Sequence, residues 1–119
     1  MITPAELIAD LDAALEEGGN TVTLRRLTLG PGGTQIPFDA EGLPASVRPL
    51  KPEELVGGID QTWSKVVLSP TGINAAQWPL PIRKGDKIVE TSGKIRNIEF
   101  PGHISVQDVL VRIELMVGG

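Results

Sequence analysis

Apolar residues at Leu7, Ile8, Leu11, Ala14 and Leu15 recur at helical spacing, which predicts an amphipathic helix over residues 3–18. Thr3-Pro4-Ala5-Glu6 reads as a capping box with proline at the first helical position, where its missing N–H costs nothing. Gly18-Gly19 predicts a left-handed stop. Asp10, Asp12, Glu16 and Glu17 fall largely off the apolar stripe. Carboxylates in the last turn face the negative end of the helix dipole, a cost that a basic partner offsets.

From Asn20 the period changes to two. Val22 and Leu24 share one phase and Leu27 and Leu29 the other, which predicts a bulge or a barrel corner across Arg25-Arg26. Gly30-Pro31-Gly32-Gly33 through Gly42-Leu43-Pro44 reads as a long loop, 30–45, with Ile36 and Phe38 in its middle. Extended structure resumes at Ala45-Ser46-Val47-Arg48, and Pro49 and Pro52 confine it to an edge or end it. Residues 51–58 fit one helical turn or a loop. Short strands follow at Lys65–Ser69, Lys87–Thr91 and Lys94–Phe100, with turns at Gly85-Asp86 and Ser92-Gly93. Pro70 to Pro81 reads as a connection anchored by the Trp78 indole. Val109, Val111, Ile113, Leu115 and Val117 alternate in a single phase, while Leu110, Arg112, Glu114 and Met116 form a mixed face, part of it covered.

One helix and five or six short strands predict a mainly β (α+β) fold: a small antiparallel β-barrel with one N-terminal α-helix and long loops. The whole of 1–119 forms a single domain, with the barrel over 20–117.

Composition narrows the chemistry. Of 119 residues 40% are hydrophobic but only 3% aromatic, so the core rests on Val, Ile and Leu, and a base-stacking platform is poorly supplied. Without cysteine and with one histidine, His103, the chain has no thiolate catalysis, disulfide scaffold or Cys/His zinc site. Nor does Asp39/Glu41 or Glu53/Glu54 have coordination spacing, and His103, after Pro101-Gly102, reads as a solvated turn residue. No cofactor and no enzymatic activity is expected. Gly30-Pro31-Gly32-Gly33 opens no helix and lacks the lysine of a phosphate-cradling loop. Arg25-Arg26, Arg83-Lys84 and Lys94/Arg96 offer nonspecific phosphate contacts or solvated strand edges that discourage aggregation. The net charge of −4 arises from the first 18 residues, which hold five acids and no base. The pattern predicts neither a secretory leader nor a membrane span.

A surplus of apolar loop residues and a separable acidic helix suit an assembly, in which neighbours complete the burial. The words that follow point to one. Val47-Arg48-Pro49-Leu50-Lys51-Pro52-Glu53-Glu54-Leu55-Val56-Gly57-Gly58-Ile59, then Lys65-Val66-Val67-Leu68-Ser69-Pro70, then Trp78-Pro79 and Arg83-Lys84-Gly85-Asp86-Lys87-Ile88-Val89 resemble the head-closure (stopper, head–tail joining) proteins of long-tailed bacteriophages. In order of elements the resemblance covers residues 1–117 and is most specific over 47–89. Asp60-Gln61-Thr62-Trp63 departs from it, standing where the family pattern has a shorter Gly/Asp turn.

The resemblance implies a non-catalytic virion protein of the neck, assembled in the host cytoplasm. It would form a homo-oligomeric ring, six- or twelve-fold, that closes the filled head below the portal or adaptor and presents a docking surface to the tail terminator or tail tube. Contact with the packaged DNA end would be nonspecific, and no membrane is involved. Gln35, Ile36, Phe38 and Asp39 are the candidates for the lumen or an intersubunit seam. Glu53, Glu54, Leu55, Asp60, Gln61 and Trp63 are those for a neighbouring ring, and Asp10, Asp12, Glu16 and Glu17 those for a basic surface. The alternatives are a tail-terminator or other connector ring and a small barrel that binds nucleic acid.

Overall fold

The computed structural model describes residues 2–50 and 63–118. Its first element is the expected helix, α1 (Pro4–Gly18), with Thr3 Oγ1 accepting from the Glu6 amide at 3.2 Å. The stop is not left-handed: Gly19 is extended, with φ −101° and ψ 177°. Glycine serves there through its size, since a Cβ would stand 2.5 Å from the carbonyl oxygens of both Leu15 and Ala45. Helix and barrel backbones meet at that residue.

Six strands follow: β1 (Asn20–Leu29), β2 (Gln35–Pro49), β3 (Ser64–Leu68), β4 (Lys87–Glu90), β5 (Ile95–Val106) and β6 (Val109–Gly118). They close into an antiparallel barrel in the order β1-β2-β3-β6-β5-β4. The fold is therefore the mainly β barrel with one main N-terminal helix that the pattern predicts, and closure leaves no edge through the barrel wall.

Three local expectations are corrected. The stretch read as a loop over 30–45 is mostly strand: only a tight turn at Pro31–Gly33 separates β1 from β2, with Gly32 and Gly33 at φ 71° and 79°. Its turn formers have other uses. Gly42, at φ 67°, lies in the irregularity opposite Val22/Leu24, and Pro37 and Pro44 pair with β1 where β2 has not yet met β3, so a missing N–H can face an unpaired side. The bulge expected across Arg25-Arg26 lies at Val22/Leu24 instead, and the phase change it was meant to explain is one of direction: Leu24 points inward, Leu27 outward. Finally, β5 continues through Pro101-Gly102-His103 to Val106, so His103 sits in a strand and not in a turn.

A second helix, α2 (Pro70–Ala75), caps itself with Ser69, whose Oγ accepts from the Thr71 amide at 3.3 Å, and plants Ile73 in the core. The core joins Val22, Leu24, Val66, Leu68, Ile88 and Ile98 to the inward row Ile113, Leu115 and Val117 of β6. Burial of each such side chain contributes about 1.5–3 kcal/mol. An arginine closes the core at each end. Arg26, two positions beyond Leu24, binds both carboxylate oxygens of Asp86 at 3.0 and 2.8 Å. Arg96, two before Ile98, binds Glu90 at 3.1 Å and Ser64 at 3.3 Å.

Candidate interaction surface

Because all pairings are antiparallel, β1, β3 and β5 run toward one end of the barrel. That end carries the β1–β2 turn, the β3–β4 connection and the β5–β6 turn at Gln107-Asp108. Two hairpins outrun the wall. β4 accompanies β1 only as far as Arg25, and β3 joins β2 only from Ala45, so residues 26–38 form a two-stranded arm. β6 meets β3 only from Ile113, which leaves the β5–β6 tip as a second, shorter arm. The molecule is accordingly elongated, 52 × 35 × 27 Å.

The first arm is apolar on both faces. Directly paired residues share a face, so Leu27 with Pro37 and Leu29 with Gln35 point outward, while Thr28 with Ile36 and Arg26 with Phe38 continue the inward row. Leu29 is 83% exposed, and Leu27, Ile36 and Phe38 are exposed as well. Ile36 folds back over Gly30, where a Cβ would lie 2.5 Å from its Cδ1. Of the residues expected at a seam, Gln35, Ile36 and Phe38 are thus all in solvent, Gln35 on one face of the arm and Ile36 and Phe38 on the other. Asp39 is not: it binds Arg25 through two hydrogen bonds of 2.9 and 3.0 Å at the arm's root. That contact, more than the charge of Glu41 beyond it, holds the guanidinium pKa above its ordinary value.

A strap between α2 and β4 secures both arms. Arg26 lies over the Trp78 ring at 4.4 Å and donates to the carbonyls of Pro79 and Pro81 as well as to Asp86. Trp78 Nε1 donates to the Phe38 carbonyl at 3.1 Å, and Asp86 accepts from the Arg83 amide at 2.8 Å. On the other side His103 Nε2 accepts from the Ile82 amide at 3.1 Å. Sequence reading missed Arg26, Asp86 and His103 in these roles. The one available signal was a tryptophan in a proline-rich connection.

A second apolar surface lies on the outer wall of β5 and β6. Phe100 (51% exposed) and Ile104 line a shallow groove with Met116, bordered by Lys65 and Glu114. Trp63 belongs to this surface, its ring 5.9 Å from that of Phe100. The companions expected with it, Glu53, Glu54, Leu55, Asp60 and Gln61, lie outside the described residues.

The acidic helix packs on β2 and β6, which covers part of the mixed face of β6 as expected. Asp12 is engaged internally, accepting from the Thr71 hydroxyl at 2.8 Å, whereas Asp10, Glu16 and Glu17 are exposed. Leu11, Ala14, Leu15 and Gly18 line a groove together with Arg48, Lys65 and Arg112, so the barrel itself supplies cations to a helix end that has none. Glu114 sits among them, and hydrogen bonding to Lys65, with smaller help from Arg112, holds its carboxyl below the usual carboxylate range. Among the described residues no three His, Asp or Glu side chains gather to hold a metal, and no helix is long and apolar enough to cross a membrane. What the surface can do chemically is bury apolar area and pair charges. No family model, no curated protein and no solved structure matches the chain.

Proposed function

We propose that this chain is a ring-forming structural subunit of the neck of a long-tailed bacteriophage, a head-closure protein acting between portal or adaptor and tail. The observation that carries this reading is the β1–β2 arm, apolar on both faces, exposed to solvent and fastened at its root by Arg25–Asp39 and Arg26–Asp86. An arm with two apolar faces, anchored at its root, suits insertion between two surfaces. Neighbouring copies in a ring supply them. The resemblance over residues 47–89 is the reason for proposing a phage neck as the particle. Exposed Asp10, Glu16 and Glu17 are available to a basic surface of an adjacent ring.

The charge pairing also weighs against the nucleic-acid reading. Arg25, Arg26 and Arg96, three of the basic residues that motivated it, are spent on Asp39, Asp86 and Glu90. Electron cryomicroscopy of the intact particle tests the proposal. The chain is expected as a ring in the neck density below the portal, and its absence from the neck overturns the assignment.

A further inference from the structure

We infer that His103 is a proton-sensitive latch: its neutral imidazole ties the strap to β5, and protonation frees the strap and loosens the clamp on the β1–β2 arm. The latch works within a single copy, whatever assembly that copy joins. Its basis is one contact. The Ile82 amide donates to His103 Nε2 at 3.1 Å, and Ile82 is 2% exposed, so the donor is shut away from water. Among the described residues no main-chain carbonyl accepts from that amide. A neutral imidazole accepts through one nitrogen and donates through the other, whereas an imidazolium only donates. Turning the ring over does not restore the bond, because both nitrogens then carry protons. His103 is itself exposed, so protons reach it without unfolding. Histidine is also the side chain that ordinarily changes charge between about pH 5 and 8.

Ile82 stands where release matters most. Pro81 before it accepts from Arg26, and Arg83 after it donates its amide to Asp86, which Arg26 also binds. Trp78, earlier in the strap, holds the Phe38 carbonyl. The latch therefore joins the β5–β6 hairpin to the arm through a segment that belongs to neither. Charged groups lie on every element around it. Directly paired residues share a face, so His103 lies on the inward side with Ile113, while Glu114 and Arg112, opposite Gly102 and Ile104, lie on the outward one. Glu114 binds Lys65, Asp86 binds Arg26, and Glu99 stands 4.0 Å from Lys84. Arg83 of the strap and Asp108 of the β5–β6 turn are exposed. His103 forms an ion pair with none of them, and its one hydrogen bond is to Ile82. The contact that an added proton acts on is the one with the strap.

Nuclear magnetic resonance of the isotope-labelled full-length chain, titrated from about pH 8 to 5, tests the latch. The His103 ring C–H signals, the Ile82 amide and the Trp78 indole N–H are expected to shift with one common midpoint. Protection of the Ile82 amide, corrected for the intrinsic pH dependence of exchange, is expected to fall on the order of tenfold across it. His103→Gln supplies a carbonyl oxygen that accepts at every pH, so its Ile82 protection is expected to stay level over the same range. An Ile82 amide that keeps its protection while the His103 ring titrates overturns the latch, as does an equal fall in His103→Gln. A Trp78 indole signal that does not move with them overturns the link to the arm. Should His103→Gln fail to fold by circular dichroism, the unmodified chain decides: separate midpoints for His103 and Ile82 overturn the inference.

Discussion

The indole nitrogen of Trp78 donates to the main-chain carbonyl of Phe38, 40 residues away in sequence, at 3.1 Å. A side chain of the strap thereby fixes the backbone of the arm, while Arg26 over the same ring fixes the opposite strand. The arm is held by contacts to a segment outside its own two strands. Its aim depends on side chains far from its tip.

Removing that clamp should loosen the arm and destabilise the fold together. Arg26→Ala strands Asp86, whose side chain is 7% exposed, without its cation, and is expected to cost about 3 kcal/mol. Trp78→Phe removes the indole donor, and an expected cost of about 2 kcal/mol joins that lost bond to imperfect packing. Urea titration followed by circular dichroism measures both, and values within experimental error of the unmodified chain would refute the clamp.

His103 is expected to carry its ring proton on Nδ1, since Nε2 accepts from the Ile82 amide. Nitrogen NMR of the imidazole reads the tautomer. In His103→Ala the buried amide loses its acceptor, at an expected cost of about 1–3 kcal/mol, and its hydrogen exchange should accelerate selectively. Unchanged exchange at Ile82 would show the contact to be dispensable.

Glu114 sets an acid limb to stability. Its carboxyl, lowered from 4.5 chiefly by the Lys65 hydrogen bond, releases its proton more readily folded than unfolded. The stabilisation is therefore complete above the unfolded value and disappears as pH falls from there through the folded one. Glu114→Gln should flatten the fall in stability below about pH 4.5 and lower stability at pH 7, as denaturant titrations at several pH values would record.

The exposed acids of α1 should act on assembly and not on folding. Neutralising Asp10, Glu16 and Glu17 to their amides is expected to weaken association with a basic neighbour at low ionic strength and to matter little near 1 M salt, where screening reaches about 3 Å. Sedimentation across a salt series checks this. Asp12 is left out because it already serves Thr71.

How much of this was legible follows from the range of each interaction. Thr3 and Pro4 announce α1 within four residues, Gly85 and Gly93 mark turns by their positive φ of 97° and 92°, and the inward row of β6 is a period-two signal in contiguous sequence. The arm was hidden because Pro37, Gly42 and Pro44, ordinarily signs of a loop, occupy an unpaired side and a bulge of a strand. Its apolar residues were nonetheless visible as a surplus. The clamp was beyond reach: Arg26 and Asp86 lie 60 residues apart, and each alone looks like an ordinary surface charge. For the seam candidates, sequence separated Ile36 and Phe38 correctly from the core but had no means of showing that Asp39, three residues from Ile36, was committed to Arg25.

Arg26 with Asp86 and Arg96 with Glu90 stopper the two mouths of a barrel already filled by aliphatic side chains. A single subunit therefore has no bore. In the proposed assembly, any passage wide enough for a nucleic-acid duplex would have to be enclosed between separate subunits, its diameter governed by how many of them stand in the circle.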